Sequence, residues 1–156
     1  MKRILTFLII VMLLCASGCN SPEQPSIPED SGSESHNSYM VVGKLDVYHP
    51  DNKISIAKPV KISSCEALEK QFADCDILPA LQSFYDEEFF KKNVLIVCSS
   101  FFNCPEYNIT QSFILDKTLY VTIRPSGDSK DGNTLFCLRF GNGIVGATTD
   151  WKVEIR

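Results

Sequence analysis

Val94-Leu95-Ile96-Val97-Cys98 is an unbroken apolar run in a chain of 156 residues. Its length suits a strand. Continuity rather than alternation marks a strand covered on both faces, and the domain is expected to be built around it. Just upstream, Asp86 is placed to cap a short helix through Glu87, Glu88, Phe89, Phe90 and Lys91, with acids in the first turn and lysines in the last, as the helix dipole favours. Asn93 ends it. Residues 79–84 carry no decisive pattern. Before them, Ser63-Ser64-Cys65-Glu66 fits a capping box, and Ala67, Leu68 and Phe72 recur at helical spacing, which predicts a helix over 64–73. Asp74 and Asp76 come next without the glycine-bearing loop that calcium requires, so a solvated turn is expected.

Nearer the N-terminus, residues 40–48 read as a strand in which Leu45 and Val47 alternate with polar neighbours. His49-Pro50-Asp51-Asn52 is a turn by composition. Ile54 and Ile56 predict a short second strand. Pro59 limits the residues after it to an edge or a connection, and 60–62 is a third extended piece. On the C-terminal side, 107–115 and 118–124 are strands joined by the two-residue loop Asp116-Lys117. Residues 125–133 read as a polar loop. Residues 134–140 place Phe136, Leu138 and Phe140 on one face. Gly141, Gly143 and Gly146 punctuate a connection. In the last strand Trp151, Val153 and Ile155 alternate with Lys152, Glu154 and Arg156, giving one wet face. The expected fold is α+β: one mostly antiparallel sheet with one or two helices packed on a face, forming a single domain over 40–156.

Ahead of that domain stand Lys2 and Arg3, an apolar run over 4–14 broken only by Thr6, and then Ala16-Ser17-Gly18-Cys19. A basic start, a short apolar core and small residues before a cut describe a secretory signal. The core is too short for a membrane span, which needs about 20 apolar residues. The cysteine after the small residues resembles the lipobox of bacterial lipoproteins, which implies a signal peptide over 1–18 and a diacylglycerol thioether on Cys19. Ala16 departs from the leucine usual at its position. Acyl chains contribute about 0.8 kcal/mol per buried methylene, so such an anchor would be stable. Residues 20–39 are rich in Ser, Pro and acid, hold no Lys or Arg, and cannot bury enough surface to offset chain entropy. They read as a disordered linker, its ends ~25 Å apart as a coil and ~65 Å apart when stretched. His36 falls within it.

Loss of residues 1–18 removes Lys2 and Arg3, leaving 13 basic and 19 acidic residues, a net charge of −6. This balance disfavours nucleic acid, which demands basic clusters, and electrostatic adhesion to anionic lipid. Of seven cysteines, Cys15 is expected to leave with the signal and Cys19 to carry the lipid. Cys65, Cys75, Cys98, Cys104 and Cys137 remain, an odd number that leaves at least one unpaired. Export permits disulfides. Cys98 with Cys104, across a short turn, and Cys65 with Cys75, flanking a helix, are the first pairs to test, while reduced buried thiols are equally ordinary core residues.

Tyr85-Asp86-Glu87-Glu88-Phe89-Phe90 running into Asn93-Val94-Leu95-Ile96-Val97 resembles an uncharacterised Gram-positive envelope lipoprotein family, in which a capped helix such as 63–72 lies upstream and a hairpin and last strand such as 149–155 close the domain. More weakly, the order of elements is similar to the C-terminal domain of the PrcB-like family, accessory lipoproteins of a protease complex. The likeness spans roughly 45–156 and rests on core and cap residues. It implies fold and location, and no catalytic residue transfers. Where that group often carries a Trp-His pair, this chain has Leu135-Phe136-Cys137.

A hydrolytic triad needs histidine beside a nucleophile and an acid. The folded part has one histidine, His49, in a proline turn, where a surface position is expected. Cys98 and Cys104 are too far apart in sequence for a Cys-x-x-Cys motif and lack basic neighbours to lower a thiol pKa. Residues 127–132 match no phosphate or calcium loop and read as a hairpin connection. No metal site and no cofactor are expected. Phe101 and Phe102 come after the central run in a loop: exposed together they would make a partner patch, and buried they would cap the core. The expectation is a non-catalytic binding or accessory module, lipid-anchored at the outer face of the cell membrane, for an envelope protein such as a protease. The alternatives are a thiol-dependent redox or hydrolytic enzyme using Cys98 or Cys104, and a small-ligand-binding lipoprotein.

Overall fold

The computed structural model describes residues 38–146 and 148–156. The expected signal peptide over 1–18, Cys15, Cys19, His36 and the linker up to residue 37 lie outside them. The described residues form, in order, β1 (Tyr39–Met40), β2 (Lys44–Tyr48), β3 (Val60–Ile62), α1 (Cys65–Phe72), α2 (Leu78–Phe84), α3 (Glu87–Lys92), β4 (Asn93–Asn103), β5 (Glu106–Leu115), β6 (Thr118–Ser126), β7 (Lys130–Gly141), α4 (Asn142–Val145) and β8 (Asp150–Ile155). The content is α+β with mostly antiparallel pairing. The expected single sheet is instead two, ordered β1-β5-β6-β8 and β2-β7-β4-β3.

Two sheets result from burial of the central run on both faces. Val94, Leu95, Ile96, Val97 and Cys98 are each at most 5% exposed. Successive side chains of a strand point to opposite faces, and here they feed two different cores. Val94, Ile96 and Cys98 join Phe136, Leu138 and Phe140 of β7 against Ile114, Leu119, Val121 and Ile123 of the other sheet. Leu95 and Val97, with Leu135 and Cys137, join Leu68, Phe72, Leu81, Tyr85 and Phe90 from the helices. One sheet with helices on one face would have left half of β4 and β7 in water.

The strand expected over 40–48 is two strands in different sheets, β1 on β5 and β2 on β7. The chain crosses between them at Val41-Val42-Gly43. A Cβ on Gly43 would lie 2.5 Å from the Phe140 ring, so the crossing requires glycine. Ile54 and Ile56 do not form a strand. Both are buried in the helix-side core, and the Ile56 N–H donates to Ser99 Oγ at 2.8 Å instead of joining a ladder.

Local signals set the helix ends. Ser64 caps α1, its hydroxyl accepting from the Ala67 N–H at 3.1 Å. This is one residue later than a capping box begun at Ser63 would have it, which puts Glu66 out of step for the reciprocal bond. Asp86 caps α3 by accepting from the Phe89 N–H at 2.8 Å, and Asn93 ends it. Residues 79–84 are helical within α2, with Pro79 in its first turn where a missing N–H is harmless.

Asp116 and Lys117 turn the β5–β6 hairpin at φ 49° and 61°, the left-handed pair that a two-residue loop matched to strand twist requires. The expected loop over 125–133 shrinks, because β6 runs to Ser126 and β7 starts at Lys130. Gly127, at φ 84°, supplies the reversal. The glycine-punctuated connection contains the short helix α4. The C-terminal half is not wholly antiparallel, since β8 runs parallel to β6. After β6, β7 returns in the other sheet, so the chain restarts where β6 began, and the Thr149 N–H meets Lys117 O at 2.9 Å. β8 alternates exposed and half-buried residues as its sequence predicts. The Trp151 indole donates to Pro59 O at 2.7 Å, tying the two sheets together at that edge.

Candidate functional site

Among the described residues β2 is the end strand of its sheet. Its pairing with β7 sets Asp46 opposite Cys137 and Tyr48 opposite Leu135. Residues directly opposite share a face, so Asp46 and Tyr48 lie on the helix-side face, and Arg139, two residues beyond Cys137, is a diagonal neighbour of Asp46. Tyr85, the residue between α2 and the cap of α3, enters from the helices. It is 1% exposed, its ring 4.9 Å from that of Phe89.

These side chains form one connected group. Tyr48 OH donates to Tyr85 OH at 3.3 Å, and Tyr85 OH donates to Asp46 Oδ2 at 2.7 Å. Arg139 Nη2 donates to Asp46 Oδ1 at 3.0 Å. Arg139 Nε lies 2.6 Å from Asp46 Oδ2, but too far off line to count as a hydrogen bond, so the ion pair rests on one well-aligned bond plus close charge. Burial first, then the nearby Cys137 thiol, hold the Tyr85 phenol far above its ordinary value. Burial also raises Tyr48. Both hydroxyls therefore stay protonated at neutral pH and act as fixed donors.

A cavity of about 490 Å³ opens beside this group, lined by Leu45, Asp46, Val47, Tyr48, Phe84, Tyr85 and Arg139. Four consecutive residues of β2 line it together with Arg139 of β7, so the opening reaches from the helix-side face to the outer edge of β2, which has no strand partner among the described residues. Phe84, 66% exposed, stands at the rim. The cavity thus offers an apolar ring, an uncommitted strand edge and an ion pair whose charges cancel. Asp46→Ala would leave the Tyr85 hydroxyl buried without an acceptor and the Arg139 charge unpaired. It is expected to lower stability by about 2 kcal/mol, read as a shifted urea midpoint, whereas Asp46→Asn, which keeps an acceptor oxygen, should lose less.

The residues singled out in the sequence lie elsewhere. Phe101 and Phe102 are in β4, not in a loop. Phe101 is half exposed beneath Lys53, whose ammonium is 4.5 Å from the ring centre. Phe102 is half-buried, 6.5 Å from the Tyr107 ring. Its carbonyl accepts from Ser100 at 3.1 Å, Tyr107 at 3.0 Å and Thr134 at 2.8 Å. Cys19 is outside the described residues. Cys98 and Cys104 are buried, and burial pushes the Cys98 thiol up to about 12. The short turn expected between them is extended strand, which separates them by roughly 20 Å, beyond disulfide reach. Cys65 is the first residue of α1 and Cys75 lies beyond its last, at opposite ends of a helix about 12 Å long by helical rise. All five described cysteines are free.

His49 is exposed, as a turn histidine should be. The fold nevertheless brings its Nδ1 within 3.1 Å of Asn103 Oδ1 and 3.4 Å of Thr134 Oγ1. Among the described residues no three His, Cys, Asp or Glu gather in a way that could hold a metal, and no helix is long and apolar enough to cross a membrane. Sequence reasoning missed the Asp46–Arg139 pair. Its signal was Arg139 inside Phe136-Cys137-Leu138-Arg139-Phe140, since a charge within an apolar strand needs a partner. Comparison with family models, with curated proteins and with solved structures finds no match to this chain.

Proposed function

We propose that this chain is a lipid-anchored envelope module, tethered through Cys19 at the outer face of a bacterial membrane, which binds an extended segment of another envelope protein rather than turning over a substrate. A protease is the class of partner to which the resemblance of residues 45–156 points. The observation that carries the reading is the cavity along the free edge of β2. An added peptide strand would satisfy the unpaired backbone groups there, while Phe84 and the Asp46–Arg139 pair would give its side chains something to select. The polar groups are saturated by one another and neither phenol titrates near neutrality. That favours recognition over acid–base chemistry. Burial of Cys98 weighs against the thiol-enzyme alternative. The cavity volume also suits a small ligand, which makes small-molecule capture the second reading.

The test is a photo-crosslinking residue at position 84 of the full chain in living cells. A discrete envelope polypeptide crosslinked at that position, and lost when Leu45 is changed to proline to spoil the edge, is the expected result. Crosslinks to small molecules alone would favour the second reading, and none at all would overturn both.

A further inference from the structure

β8 is the free end of the sheet β1-β5-β6-β8 among the described residues. The direction of its backbone groups is fixed. The Asp150 N–H points to Lys117 O at 3.4 Å, and the Arg156 N–H to Ile123 O at 2.9 Å. Even-numbered residues thus aim their backbone at β6, and Trp151, Val153 and Ile155 aim theirs away from the sheet. The Trp151 N–H meets the Asp150 carboxylate at 2.9 Å. The ladder leaves Val153 and Ile155 unpaired on this side. The side chains obey the same parity: Asp150, Lys152, Glu154 and Arg156 are exposed, while Trp151, Val153 and Ile155 are half-buried against the inter-sheet core.

We infer that β8 pairs with β8 of a second copy of this chain, antiparallel about a two-fold axis through Val153. In that register Val153 faces Val153 and Trp151 faces Ile155, in the hydrogen-bonded positions that the outward backbone groups require. Lys152 then faces Glu154, and Asp150 faces Arg156, in the non-hydrogen-bonded positions where opposed side chains come closest. The charges along the wet face alternate −, +, −, +, and that order is antisymmetric about Val153. Every opposed pair is therefore of opposite sign.

Neighbouring registers fail. Centring on Lys152 sets Lys152 against Lys152 and Asp150 against Glu154. Centring on Glu154 sets Glu154 against Glu154 and Lys152 against Arg156. A slip by one residue turns the apolar face to the wrong side. Alternating charge alone would merely blunt an edge; here the backbone parity restricts pairing to registers that oppose odd with odd residues, and among these the order of signs favours the one centred on Val153, which sets all four charges of each strand against opposite charges. The exposed contact of Arg156 Nη1 with Glu154 at 3.4 Å within one chain is of the kind that exchanges at little cost. The dimer would join two four-stranded sheets into one, at the opposite sheet from the Phe84 cavity, so crosslinking at position 84 and dimerisation through β8 succeed or fail independently.

Sedimentation equilibrium of the full chain in density-matched detergent tests this. A concentration-dependent dimer is expected. Glu154→Lys and Lys152→Glu, each creating like-charge pairs on both sides of the axis, should each weaken it about tenfold or more. The double variant Lys152→Glu/Glu154→Lys restores opposite signs and should return the dissociation constant to within about threefold of the parent's. A parent chain that stays monomeric at every concentration overturns the proposal. So do single variants that dimerise like the parent, and a double variant as weak as the singles.

Discussion

Phe136→Ala should cost the domain about 3–5 kcal/mol, a loss set by the removed apolar surface plus the cavity left behind. Phe136 has no exposed surface and lies in the core between the sheets. Its strand is held on both flanks, with Val47 of β2 and Cys98 of β4 directly opposite, so the backbone has little freedom to collapse into the space. The nearest ring that could swing into it is Tyr107, edge-on at 4.9 Å. Tyr107 is pinned by its hydroxyl, which donates to Phe102 O at 3.0 Å and accepts from the Cys104 N–H at 2.8 Å. Against a total stability of about 5–15 kcal/mol, the variant should unfold at a much lower urea concentration with an unchanged slope. A loss below about 1 kcal/mol would mean that the two sheets do not enclose this side chain as described.

What the sequence disclosed and what it hid divide along the distance between interacting residues. α3 was legible because its cap, dipole charges and stop all lie within residues 86–93, and the hairpin at Asp116-Lys117 because loop length alone selects the turn. The double burial of β4 was legible as well, but its consequence, a second sheet, depends on which strands pair, and pairing is settled by residues far apart. The break at Gly43 shows this: residues 40–48 read as one strand, but the two halves pair with β5 and β7 from far along the chain, and at the crossing only glycine fits against the Phe140 ring.

Strand ends were hidden for similar reasons. β4 continues through Ser99, Ser100, Phe101 and Phe102 because β7 keeps pairing with it as far as Asn103, although the apolar run has stopped. Pro125 suggested a loop, yet it belongs to β6, just past Ile123, the last residue that pairs with β8, where a missing N–H leaves no partner unmatched on that side. The candidate site joins residues 46, 48, 85 and 139. No local motif could assemble them, and only Arg139, a charge among core residues, announced that a partner had to exist.

Alkaline conditions should unfold this protein progressively from about pH 9. The Cys98 thiol, ordinarily ionising near 9.0, is pushed by burial to about 12. In the folded chain it remains protonated while in the unfolded chain it ionises, so its contribution is complete below pH 9 and declines as pH rises toward 12. At full slope one such group removes about 1.4 kcal/mol per pH unit; since it is only half ionised in the unfolded chain at pH 9, the loss between pH 9 and pH 11 is about 2 kcal/mol. Burial raises Cys137 and Tyr85 in the same direction, the tyrosine entering above its ordinary value of 10.0, so the total fall should exceed that of Cys98 alone. Cys65 and Cys75 shift the same way, but solvent around them screens the effect.

Urea midpoints taken at unit steps from pH 7 to pH 11 would trace the decline. Cys98→Ala supplies the internal control. It should be less stable at pH 7 through the lost sulfur, yet its loss between pH 9 and pH 11 should be smaller than the parent's by about 2 kcal/mol. Equal losses in the two proteins would place the Cys98 thiol in contact with water and remove it from the core between the sheets, because a thiol that ionises equally in the folded and unfolded chain contributes no dependence on pH.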